Sequence, residues 1–172
     1  MEQENLFINE AEWLDNLKKN WKTAIEGDGA FCPCCGKWGK VYKHKLSQHL
    51  ALCLRWIVIN EATDGWVDVQ NKAPRWMLKS KTYPLLAHWK LIESQGKRSG
   101  VWRATLDGKL FANGMATAPA SVYIYDNGIW GFGDEEVSFR GCFDRHFDFD
   151  EMMSERFDWT KLKEKRDGKG ND

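Results

Sequence analysis

Cys32 and Cys35 form a C-x2-C pair in FCPCCG, and after thirteen further residues His49 and Cys53 stand four apart. Thiolate sulfur and imidazole nitrogen are what tetrahedral zinc binds in structural sites. Residues at i and i+4 share a helical face, so a helix would present His49 and Cys53 to one ion while the C-x2-C turn supplies the other ligands. No carboxylate adjoins the set to act as a base, which makes the expected zinc structural. Cys34 and His44 are alternatives for one of the four positions. The competing reading treats the cysteines as small buried hydrophobes and His49 as a surface histidine. Four of the five cysteines lie between residues 32 and 53, and that crowding favours metal.

The pattern C-x2-C-x13-H-x3-C resembles the C2H2 and C2HC zinc fingers, which keep about twelve residues between ligand pairs. Leu46 stands where that family has a packing leucine, and Trp38 or Tyr42 stands in for its aromatic. The departures are one extra loop residue, a cysteine as fourth ligand, and Cys34 inside the knuckle.

The elements that must position these residues follow from apolar spacing. Ile8, Trp13, Leu17, Trp21 and Ile25 recur mostly every four residues, predicting an amphipathic helix over 8–26 that the glycines at 27 and 29 end. Its stripe packs on the body of the protein or forms a homodimer contact. Residues 43–61 read as one long helix with Leu46, Leu50, Leu54, Ile57 and Val58 on its buried side, so that zinc would pin the knuckle to it. A short strand at Val67 to Val69 follows, then a short helix over 73–80. A second short helix over 82–90 is expected to be capped by Thr82, with Pro84 in its first turn. Two glycine-bearing turns then flank a strand centred on residues 101–105. MATAPA at 115–120 reads as a linker, and VYIYDNGIWGF at 122–132 as a β-hairpin about Asp-Asn-Gly. Residues 135–159 read as one or two short helices and residues 160–172 as a frayed tail.

The formal net charge of zero conceals a basic middle between acidic ends. Lys72, Arg75, Lys79, Lys81, Lys90, Lys97, Arg98 and Arg103 are opposed in their stretch only by Glu93. Such a run is either a solvated face or a surface for a polyanion. Residues 134–158 reverse the sign, and the carboxylates Asp144, Asp148, Asp150 and Glu151 beside His146 read as a solvated acidic face.

The order of long helix, short strand, two short helices and basic hairpin over residues 43–113 resembles winged helix-turn-helix proteins. WKLIE at 89–93 looks like the passage from recognition helix into the first wing strand, and TLDGKLF at 105–111 like the stretch after the wing in MarR- and PadR-type repressors. Lys90 is a departure, since those families usually carry glycine there. The resemblance implies binding of double-stranded DNA. Leu85, Leu86 and Trp89 would face the core, Tyr83, Ala87 and Lys90 the major groove, and Lys79, Lys81, Lys97, Arg98 and Arg103 the phosphates. The chain also resembles small bacteriophage proteins, a likeness that implies no activity.

These readings combine into an α+β protein with a winged-helix core, a zinc-stapled amino-terminal segment, and a carboxy-terminal hairpin with short helices. The expected segments are 1–29, 30–61, 62–114, 115–159 and 160–172. The chain of 172 residues shows no secretion signal and no long apolar run, so a soluble protein of the bacterial cytoplasm is expected. No H-x-E with P-C-x-x-C, G-x-S-x-G, phosphate-cradling loop or second metal cluster of a nuclease is found, and no catalysis is expected. The function expected is DNA-binding regulation in a phage or mobile element. The rival is an interaction protein that docks on a host protein through its acidic end.

Overall fold

The computed structural model describes residues 9–162. Ile8 and positions 163–172 of the expected tail lie outside the described residues. In chain order the elements are α1 (Glu10–Glu26), β1 (Ala30–Phe31), β2 (Trp38–Gly39), β3 (Tyr42–Lys45), α2 (Gln48–Ile59), β4 (Val67–Asp68), α3 (Val69–Lys72) and α4 (Arg75–Ser80). After a 3-10 helix (Tyr83–Trp89) come β5 (Ile92–Ser94), β6 (Val101–Ala104), α5 (Leu106–Ala112), β7 (Thr117–Pro119), β8 (Ser121–Tyr125) and β9 (Gly128–Phe132). Last are β10 (Glu136–Ser138), a 3-10 turn (Arg140–Cys142) and α6 (Phe149–Met153). The chain is therefore mixed α+β, and none of its described helices is long and apolar enough to cross a membrane.

Packing divides the chain into two units: unit 1 runs to His44 and takes back Tyr123–Phe132, and unit 2 takes Lys45–Val122 and the chain from Gly133 onward.

Unit 1 is built on α1, which Asn9 starts by accepting the Ala11 amide on its side chain. Its stripe is covered only toward the carboxyl end. Ile25 is fully buried and Trp21 packs edge-on to Tyr125 at 5.8 Å, whereas Trp13 is 56% exposed. Gly39 fits against this corner because it has no side chain: a Cβ there would lie 2.8 Å from the Trp21 ring and 3.0 Å from Ile25. β3, β8 and β9 lie in that order in a three-stranded sheet. The predicted hairpin is present, with Asp126 and Asn127 both at positive φ (47° and 62°), the backbone of a two-residue primed turn.

Unit 2 holds most of the buried apolar residues. α2 starts five residues later than expected, because Tyr42–Lys45 is drawn into strand pairing and Ser47 caps the helix by accepting the Leu50 amide. It is apolar nearly all round, with Leu50, Ala51, Leu52, Cys53, Leu54, Trp56 and Ile57 buried, which marks a central helix. Glu61, just beyond it, accepts from the Ala104 amide and pairs with Lys109 at 2.7 Å, tying α2 to β6 and α5. β4, β6 and β5 form an antiparallel sheet in that order, with Ile92 opposite Ala104 and Val67 opposite Trp102.

Three further expectations are corrected here. The second glycine-bearing turn is the helix α5: Thr105 caps it by accepting the Gly108 amide at 3.0 Å, and Gly108 lies so close to Leu91 that a Cβ would come 2.0 Å from its carbonyl oxygen. The linker contains β7, paired with β10 through Ala118 and Val137. The helix expected over 82–90 is a 3-10 helix, and Thr82 makes no side-chain cap. Its hydroxyl donates to Ser80 instead.

Candidate nucleic-acid interface and cysteine knuckle

The expected DNA-contacting residues all belong to unit 2. Strands β5 and β6 are joined by a turn closed by the Gln95 amide on the Val101 carbonyl and the Ser99 amide on the Gly96 carbonyl. Lys97 and Arg98 stand exposed at its tip, Arg98 at φ 60°. Among the described residues no carboxylate pairs with either, which leaves two cations held out by a short hairpin. Arg103 is placed differently. It pairs with Glu93 directly across the strands and lies over the Trp66 ring at 4.5 Å, with its side chain 43% exposed.

Ahead of the hairpin, Lys79 lies in the last turn of α4 and Lys81 follows it with φ 52°, both exposed. Within the 3-10 helix, Leu86 and Trp89 are buried as expected and Leu85 is half-buried. Tyr83 is half-buried. It packs edge-on to Trp102 at 5.7 Å, and burial pushes its phenol above the usual range. Lys90 closes the helix exposed and left-handed, at φ 58°. That conformation costs an ordinary residue roughly 1–2 kcal/mol and costs glycine nothing, which explains the glycine expected there. Thr105 completes the junction by donating its hydroxyl to the Lys90 carbonyl at 2.6 Å.

The expected metal ligands fall in both units. In unit 1, β1 and β2 pair through Phe31 and Trp38 and present the turn 32–37. The Cys32 amide donates to the Lys37 carbonyl at 2.7 Å, the Gly36 amide donates to the Cys32 carbonyl at 2.8 Å, and Gly36 supplies the φ of 70° that reverses the chain. Hydrogen bonding from the backbone of Cys34 and Cys35 holds the Cys32 thiol below the usual range. Cys34 and Cys35 are exposed, and His44 lies in β3 beside an open groove shared with Trp38, Tyr42 and Tyr125.

In unit 2 the other half has different work. Ser80 Oγ lies 2.9 Å from the Met77 carbonyl oxygen and 2.8 Å from His49 Nε2, which ties the imidazole to the end of α4. The same imidazole stands edge-on to Trp76 at 5.3 Å. Cys53 is fully buried among the leucines of α2, and desolvation drives its thiol far above the usual range. Both side chains are thus engaged within unit 2, His49 with Ser80 and Trp76 and Cys53 in the core. Among the described residues no group of three or more His, Cys, Asp or Glu side chains is arranged to hold a metal.

The acids of the carboxy-terminal segment serve local structure. Asp148 caps α6 by accepting the Glu151 amide, Asp144 accepts the His146 amide, and Asp150 lies 3.7 Å from Arg140 in solvent. The cations at the tip of the β5–β6 hairpin, the left-handed Lys90 and the cysteine turn thus remain the chemically distinctive features. The chain matches no protein-family model, no curated protein and no solved structure.

Proposed function

We propose that unit 2 is a winged-helix module that binds double-stranded DNA, with the 3-10 helix and Lys90 toward the groove and the hairpin tip on the backbone. The observation that carries this reading is the state of charge along the segment. Its one acid, Glu93, is neutralised by Arg103, while Lys97 and Arg98 project from a hairpin that rigid sheet pairing holds in place. Two further features support it. The strand order β4-β6-β5 places the strand after the hairpin between the other two, as a winged helix requires. The left-handed Lys90 and the Thr105–Gly108 cap also occupy the positions where MarR- and PadR-type sequences carry their glycine and their T-x-x-G. A role as a regulator in a phage or mobile element belongs to the same proposal.

Fluorescence polarisation of a labelled random duplex across a salt series tests it. Affinity should fall steeply with salt, and K97E with R98E should lower the slope of log K against log salt by about 2, because each lost phosphate contact removes about one. Absence of binding at low salt, or an unchanged slope in the double variant, would reject the module as a DNA binder. One observation favours a protein-binding role as the second reading: unit 1 exposes Trp13, Phe31, Trp38 and Tyr42. In that case binding would survive K97E/R98E.

A further inference from the structure

The cysteine turn of unit 1 meets the needs of a metal only in part. Zinc in a structural site takes four ligands, with Zn–S distances of about 2.3 Å. The turn carries Cys32 and Cys35 on a reversal closed by the Cys32 amide on the Lys37 carbonyl and the Gly36 amide on the Cys32 carbonyl, whereas His49 and Cys53 are engaged inside unit 2. Among the described residues of unit 1 the buried apolar side chains are Ile25, Val41 and Ile124, and small apolar cores are often supplemented by disulfides, metals or association.

We propose that the knuckle is half of a tetrathiolate zinc site, completed by Cys32 and Cys35 of a second copy, so that zinc joins two chains through unit 1. Three observations select a second copy as the occupant. The turn is exposed on Cys34 and Cys35, so a partner can reach it. Phe31 and Trp38, at the strand ends that flank it, form an edge-to-face pair at 5.0 Å yet stand 68% and 50% exposed, an apolar collar that a symmetric partner would cover with its own. Four thiolates around zinc leave the centre dianionic, and Lys37 and Lys40 follow the knuckle in each chain to offset that charge. The inference does not rest on DNA binding, and either can fail alone.

The test uses the full chain purified with zinc under reducing conditions, with metal measured by elemental analysis and mass in solution by light scattering. One zinc per two chains is expected in a dimer that chelator dissociates and zinc restores, and the cobalt(II)-substituted dimer should show the charge-transfer and visible bands of tetrahedral thiolate coordination. C32S with C35S should abolish metal and dimer together. Should that variant misfold, the stoichiometry and cobalt spectrum of the unaltered chain still decide. His49→Gln and Cys53→Ala should change neither reading. One zinc per chain in a monomer, loss of metal in either of those two variants, a dimer that survives chelation, or a metal-free Cys32–Cys35 disulfide would each overturn the proposal.

Discussion

Phe111 and Phe139 in unit 2 meet edge to face at 5.6 Å, and Phe31 and Trp38 in unit 1 meet in the same geometry at 5.0 Å. The first pair is almost wholly buried, and in the second Phe31 is 68% and Trp38 50% exposed. The local contact is alike, so the difference lies in what stands behind it. Phe139 continues to Phe143 and Phe149 in an aromatic cluster, and Phe111 is carried on α5 against the buried α2. Phe31 and Trp38 sit on two-residue strands with no second layer over them. An aromatic pair contributes on the order of 1 kcal/mol by its geometry, and most of what an aromatic ring gives to stability comes from removal from water. Unit 2 has that second layer within the chain, while unit 1 leaves its rings available.

The largest expected consequence is in unit 2. Phe111→Ala should cost about 3–5 kcal/mol in urea unfolding, because a fully buried ring leaves a cavity that α2 and α5 cannot close. A loss below about 1 kcal/mol would mean the two units do not differ in the way their burial indicates. The thiols sharpen the same contrast. Burial pushes the Cys142 thiol up to about 11 from 9.0, and Cys53 higher still. A raised pKa keeps sulfur protonated, so at pH 8 Cys142 should alkylate about 100-fold more slowly than an ordinary exposed thiol. With metal removed, mass spectrometry should therefore find label on Cys32, Cys34 and Cys35 before Cys142 and Cys53. Early labelling of Cys53 would show that α2 opens readily and that unit 2 is the looser region.

How much of this was legible in the sequence depends on whether the deciding interaction was local. The turn at Asp126 and Asn127 and the stripe of α1 are set by neighbouring residues, and both were read correctly. Residues 43–45, expected in the helix over 43–61, are strand instead because that state comes from pairing with β8, far along the chain. MATAPA became a strand for the same reason, through β10. The turn expected at residue 108 had a local signal that was missed: Thr105 followed three residues later by glycine marks a capped helix whose third position must approach Leu91. The C-x2-C turn was legible from spacing alone. That His49 meets Ser80 and that Cys53 faces the core were not, since spacing places residues on a helix face without saying what that face meets. For Arg103 and Tyr83 the sequence likewise gave the residue type but not the partner, Glu93 in one case and Trp102 in the other.

The smallest expected effect bears most directly on unit 1. Trp13 is 56% exposed and Leu14 36%, so in the isolated chain the amino-terminal half of the α1 stripe contributes little burial. Trp13→Ala should therefore change the unfolding free energy of a dilute, chelated sample by no more than about 0.5 kcal/mol. The same substitution measured at rising protein concentration separates two uses of the stripe. If α1 also lines the contact between copies, the wild-type midpoint should climb with concentration and that of Trp13→Ala should lag behind it, since a surface covered only on association stabilises by mass action. If the contact is confined to the knuckle, the two curves should rise in parallel. A loss of about 2 kcal/mol or more in the dilute monomer would break the comparison outright. It would mean that Trp13 is already covered within one chain, so that unit 1 has a second layer after all.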